Sequence, residues 1–205
     1  MAARNRVTPT GDIVAIPLRG AWLGNRGILH RDREVVRFHA SALWIICALS
    51  FKDWRLPQWR PHHFTVLFFH DEAVALAAGH RPCALCRRAA YNDYRRASAA
   101  AQEQPVLSAK DLDQQLHRER IVRGTHRRRL HPSTWPSLPV GTFVMTDGEP
   151  ELVLDDAVVP WTVRGYRSPR RRPRRGAVEV LTPPSSVAAL NAGYRPQIAG
   201  LFEQP

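Results

Sequence analysis

The chain has 205 residues, enough for one generous domain or two small ones. Its 44% hydrophobic content excludes wholesale disorder, and it has no apolar run of about eighteen residues that could cross a membrane as a helix. Thirty Lys plus Arg against eighteen Asp plus Glu leave +12, a surplus that attracts phosphate backbones and other polyanions.

In chain order, the first twelve residues lack the apolar core of a signal peptide, so the expected location is the cytoplasm. Ile13-Val-Ala-Ile reads as a short strand. Ile28-Leu-His and Glu34-Val-Val-Arg-Phe read as strands on either side of a polar turn, and Gly24-Asn25-Arg26-Gly27 as a tight turn. Leu43-Trp-Ile-Ile-Cys-Ala-Leu is a continuous β-branched and aromatic run, the pattern of a buried central strand. A loop bearing Pro and Trp, residues 54–63, leads to the strand Phe64-Thr-Val-Leu-Phe-Phe. Asp71 is placed to cap a short helix over 72–78, ended by Gly79, and a longer helix is expected over 82–101 with Pro82 in its first turn. A third helix over 110–122 has Ser108 as N-cap and Asp111 in a capping-box-like position.

Beyond residue 138 the pattern is strand-rich. Gly141-Thr-Phe-Val-Met and Glu151-Leu-Val-Leu flank an Asp147-Gly148 turn, a strong hairpin signal. Strands over 157–163 and 177–181 follow, then a helix over 186–192 stopped by Gly193. Val74-Ala-Leu-Ala-Ala-Gly-His-Arg-Pro and Ala188-Ala-Leu-Asn-Ala-Gly-Tyr-Arg-Pro share a form, which a common C-cap device explains better than a duplicated unit. The predicted fold is α+β: a strand-rich N-terminal half (1–123) with helices and a cysteine knuckle, a basic linker (124–137), and a β-rich C-terminal lobe (138–205) with a short terminal helix.

Three cysteines are too few for a disulfide framework, and Cys83-x-x-Cys86 has metal-ligand spacing. In the expected helix the two thiolates sit near a helix N-terminus, which lowers their pKa. The segment from Phe64 to Arg88, with its strand, Ala-rich helix and Gly79-His80-Arg81-Pro82-Cys83-x-x-Cys86, resembles the zinc-binding domain of Ada-type DNA alkylation-repair proteins. The resemblance covers about an eighth of the chain. It implies zinc as cofactor, Cys83 and Cys86 as two of four thiolate ligands, and DNA as partner. The family's earlier cysteine pair, one member of which accepts a methyl group, is not matched: upstream there is Cys47 alone. Cys47 is a ligand, an acceptor or a core thiol on this reading, and His30, His39, His70 and His80 are candidates for a remaining position, with His80 in the place of the family's usual aromatic.

Arginines flank the knuckle (Arg81, Arg87, Arg88) and recur at Arg127, Arg128 and Arg129 and at Arg170, Arg171 and Arg172, the last set in a proline-broken loop expected to be mobile. These nine are the candidate nucleic-acid contacts, with DNA favoured over RNA through the resemblance. Trp54, Trp59 and Trp135 stand beside them as rings that either stack on bases or seal a core. No phosphate-binding glycine loop, nucleophile elbow or paired-histidine zinc motif is present. The first reading is therefore a zinc-containing nucleic-acid-binding protein connected with DNA repair or regulation. The alternatives are an enzyme acting on nucleic acid or a nucleotide through Cys47 or His117, and an interaction module for an acidic partner.

Overall fold

A computed structural model describes residues 2–54 and 57–200. Two residues of the expected loop over 54–63, the first residue, and the last five of the C-terminal lobe lie outside the described residues. The fold is mixed α+β, as the patterning predicts.

The first sheet contains β1 (Arg6–Val7), β2 (Ile13–Val14), β3 (Trp22–Asn25), β6 (Ile45–Cys47), β7 (Leu67–Phe69) and β8 (Arg81–Pro82) in the order β2-β1-β7-β3-β6-β8. A two-stranded ribbon of β4 (His30–Arg31) and β5 (Glu34–Val35) stands beside it. Strand β3 includes two residues of the expected tight turn. Gly24 lies in the sheet because Phe69 packs on it, and a Cβ there would meet the Phe69 ring at 2.5 Å. The turn itself is narrower: Gly27 has φ +95° and its N–H donates to Asn25 Oδ1 at 2.7 Å.

Helix α1 (Glu72–Ala77) is buried on every side, which is why it reads as Ala-rich and apolar all round. Asp71 Oδ1 accepts from Val74 N at 2.8 Å as the N-cap. The helix expected from residue 82 instead begins later, as α2 (Arg88–Ala101). Arg81 and Pro82 are taken into the sheet as β8, parallel to β6, and Cys83 N donates to Ile46 O at 2.9 Å. Strand pairing therefore prevails over the helical signal of Pro82, and the cysteines occupy the turn between β8 and α2. Helix α3 (Ala109–Arg120) starts at the expected cap, where Ser108 Oγ accepts from Asp111 N at 3.2 Å.

The second sheet is built from β9 (His131–Thr134), β10 (Phe143–Thr146), β11 (Glu149–Val153), β12 (Ala157–Thr162), β13 (Gly165–Tyr166) and β15 (Ala177–Val180) in the order β13-β12-β11-β10-β15-β9. Strand β14 (Arg170–Arg171) also pairs with β12, so the expected mobile loop is partly sheet. Glu151 holds Arg170 there at 2.5 Å, and Arg172 donates to Leu138 O at 2.7 Å. Residues 124–137, read as a linker, include β9, a full partner of β15, and a 3-10 turn at Trp135–Ser137.

One face of this sheet (Phe143, Leu152, Val159, Trp161) joins an apolar cluster with Val7, Ile46, Leu67, Phe69 and α1 from the first half. Its other face (Val144, Val153, Val158, Val180) is covered by Trp135 and Leu138. The two halves thus share a core. Helix α4 (Pro184–Asn191) packs on α2, and Tyr94 and Ser186 bond across that contact at 2.8 Å. Glu72 accepts from Tyr194 Oη at 2.5 Å and from Gln197 N at 3.2 Å, tying the C-terminal segment to α1.

Candidate metal centre and the basic surface

Cys47 ends β6 and Cys83 follows β8. The register Ile45↔Arg81 and Ile46↔Pro82, carried one residue further, sets the two cysteines side by side. Cys86 returns to them because the turn after β8 closes on itself, Arg87 N donating to Cys83 O at 3.2 Å. The three Sγ atoms all lie within 4.8 Å of one another. Tetrahedral zinc with Zn–S near 2.3 Å needs thiolates about 3.8 Å apart, so small side-chain rotations suffice to seat an ion. Two backbone amides already point at the sulfurs, Ala48 N to Cys86 at 3.4 Å and Leu85 N to Cys83 at 3.4 Å. Such bonds favour the thiolate and orient it. The hydrogen bond from Cys47, with help from the amides, holds Cys83 down at about 5 against its burial. That same bond to Cys83, followed by burial, pushes Cys47 up, and burial pushes Cys86 up. The cluster thus holds one ready thiolate and two thiols that a metal would deprotonate.

The histidines considered for a further ligand are elsewhere. Among the described residues, no His nitrogen or carboxylate oxygen joins the three sulfurs. His80 is buried against Phe69 and Trp44, with ring centroids at 4.6 and 5.1 Å, and its Nε2 accepts from Arg26 Nε at 3.1 Å. His30 Nδ1 is 2.6 Å from Thr65 Oγ1, and the His70 ring lies beside Tyr166. His39 faces His117, with centroids 5.1 Å apart. The three cysteine sulfurs are therefore the only protein ligands gathered here among the described residues, a group that could hold a metal ion.

The nine candidate arginines separate into two groups. Arg81 is buried and spends its guanidinium on both Asp113 oxygens, at 2.9 and 2.8 Å. Arg87 pairs with Glu72 at 2.8 Å and lies 3.8 Å over the Trp22 ring. Arg128 turns inward, donating to Arg120 O at 2.7 Å and to Leu181 O at 3.0 Å, and burial pushes its pKa down to about 9. Arg170 and Arg172 hold the loop described above. Arg88, Arg127, Arg129 and Arg171 are exposed and form no ion pair among the described residues. Trp135 is 5% exposed and belongs to the core, Trp59 meets His30 edge-on, and Trp54 is 57% exposed.

Sequence reading did not anticipate the group around Trp44. Arg26 and Arg120 flank its ring, with guanidinium carbons 4.1 and 4.0 Å from the centroid, and all three are fully buried. Burial and the neighbouring guanidinium groups hold both arginines far below their ordinary pKa. Arg120 donates to Gly79 O at 2.9 Å, Ala42 O at 2.6 Å and His117 Nδ1 at 3.0 Å. The signal was partial: the three-residue spacing of His117 and Arg120 places them on one helix face, but nothing in the sequence marks the helix as packing on Trp44. No protein-family model, no curated protein and no solved structure matches the chain.

Proposed function

We propose that the protein is a zinc-binding, nucleic-acid-binding protein whose metal is held by Cys47, Cys83 and Cys86, with one coordination position left for solvent or a ligand. The convergence of three sulfurs within 4.8 Å from separate segments of the chain carries this reading. Thiolates select soft and borderline ions, and zinc fits both their number and their spacing. Bound there, zinc would tie β6 to the turn before α2. The chain's own groups contribute the rest: the Ala48 and Leu85 amides orient two of the sulfurs.

The +12 charge and the exposed Arg88, Arg127, Arg129 and Arg171 support a polyanionic partner, and the local likeness to Ada-type zinc domains favours DNA. Two measurements test the two parts. Cobalt(II) titration of the protein is expected to give sulfur-to-metal charge-transfer absorption at one ion per chain; no such absorption would overturn the metal reading. Duplex binding is followed by fluorescence anisotropy. With about four phosphate contacts, affinity should fall roughly 100-fold between about 50 and 200 mM salt. Absent or salt-independent binding would overturn the nucleic-acid reading.

A further inference from the structure

A cavity of about 740 Å³ opens where the loop after β5 meets the C-terminal end of α3, and it is lined by His39, His117, Arg118, Ile121, Arg123 and Arg129 among others. Its size lies within the roughly 300–1,000 Å³ of small-molecule sites. Three of its lining residues are exposed arginines, Arg118, Arg123 and Arg129, and no Asp or Glu lines it or pairs with any of the three among the described residues. Arg118 in the last turn of α3 also complements the helix dipole. Arg123 and Arg129 lie beyond the helix, on a hairpin closed by the Ile121↔Arg128 bridge, so the dipole does not explain them.

The floor is set by a rigid device. Arginine can only donate, so the Arg120 bond to Nδ1 leaves the His117 proton on Nε2. Arg120 cannot turn away, because its other bonds run to Gly79 O and Ala42 O and its guanidinium is stacked on Trp44. Burial first, and Arg120 second, push His117 down to about 4 and His39 down as well, so both rings are neutral at pH 7. The Arg128 guanidinium pins the returning arm of the hairpin to Arg120 O and Leu181 O, which holds the arginine rim in place. The result is a neutral imidazole N–H donor, an aromatic ring, an aliphatic wall at Ile121 and a cationic rim in one concave site.

The geometry points to a binding site for a nucleotide, taken either free or as the phosphorylated end of a strand, with the phosphate on Arg118, Arg123 and Arg129, the base against His39 and Ile121, and His117 as a positioned donor. This deepens the polyanion reading by naming a discrete pocket for the phosphate ester. It does not depend on the metal.

The test is calorimetric titration of the full chain with adenosine monophosphate and with adenosine, for wild type and for the combined variant Arg118→Ala, Arg123→Ala, Arg129→Ala. These side chains are exposed, so the variant should retain the wild-type melting temperature. Saturable binding of the monophosphate is expected, weakened about tenfold or more by loss of the phosphate or of the three arginines. Equal binding of adenosine, or unchanged affinity in the variant, would overturn the proposal, as would no binding at millimolar monophosphate. His117→Gln keeps a donor on a different stem and should weaken binding less than His117→Ala; equal loss in both would remove His117 from its assigned role. Competition by a single strand only when it carries a 5′-phosphate assigns the site to strand ends, and no competition assigns it to free nucleotides. Absence of monophosphate binding by the wild-type chain, with duplex binding intact, overturns this proposal alone. The reverse result overturns the general nucleic-acid reading and leaves the pocket standing.

Discussion

Buried arginines share the interior with buried carboxylates, and two histidines are held below their ordinary pKa by burial first and by neighbouring arginines second. His80 and His117 each accept a hydrogen bond from a buried guanidinium, Arg26 and Arg120, and burial together with those cations holds both pKa values down. A histidine whose folded pKa lies below its unfolded value stabilises the fold above the unfolded value and loses that contribution as pH falls. For His117 the window runs from 6.5 down to about 4. Asp71 and Asp113, held up by burial, act in the opposite direction at acid pH, so the readout is a difference between proteins. The fall in melting temperature from pH 7 to about 4.5 is expected to be smaller in His117→Gln than in wild type. Identical pH slopes would show that His117 is not held neutral by its surroundings.

Helix ends supply the clearest agreement between local chemistry and structure. Gly79 and Gly193 have φ +85° and +96°, and the residue after each donates back into its helix, His80 N to Ala75 O at 3.0 Å and Tyr194 N to Ala189 O at 2.9 Å. The shared Gly-ring-Arg-Pro form is thus one C-cap used twice, with the ring turned into the core on each occasion. The two sites differ in their surroundings. A Cβ at Gly193 would meet nothing within 4 Å, whereas one at Gly79 would meet Arg120 Cδ at 2.6 Å. Gly193→Ala should therefore cost about 1 kcal/mol of backbone strain. Gly79→Ala should cost that plus roughly 1–3 kcal/mol of overpacking. Urea denaturation measures both, and equal losses would contradict the packing of Arg120 on Gly79. Caps, hairpin and the strand Ile45–Cys47, the middle of the run Leu43–Leu49, were legible because they depend on neighbours within a few residues. The start of α2 was not: Pro82 suits a first helical turn, and only pairing with β6, some 36 residues earlier in the register, takes it into the sheet. Strand β3 was hidden for a related reason, since its glycine answers to Phe69 on another strand.

Across the whole molecule, long-range pairing decides what the motifs become. Cys83 and Cys86 were legible as a pair from their spacing alone. That Cys47 joins them follows from the parallel register of β6 and β8, which no local pattern encodes. The same dependence divides the arginines. Arg81, Arg87 and Arg128 resemble their exposed neighbours in sequence, yet each is committed to Asp113, Glu72 or backbone carbonyls. Because the three cysteines join an interior strand of the sheet to the turn that launches α2, a metal bound by them should stabilise the fold. The most direct test is the zinc content of the purified protein by elemental analysis, for wild type and for Cys47→Ala, Cys83→Ala and Cys86→Ala. The account predicts about one zinc per chain in wild type and loss from all three variants. Retention of zinc in Cys47→Ala, or none in wild type after purification without chelator, would contradict a three-thiolate centre.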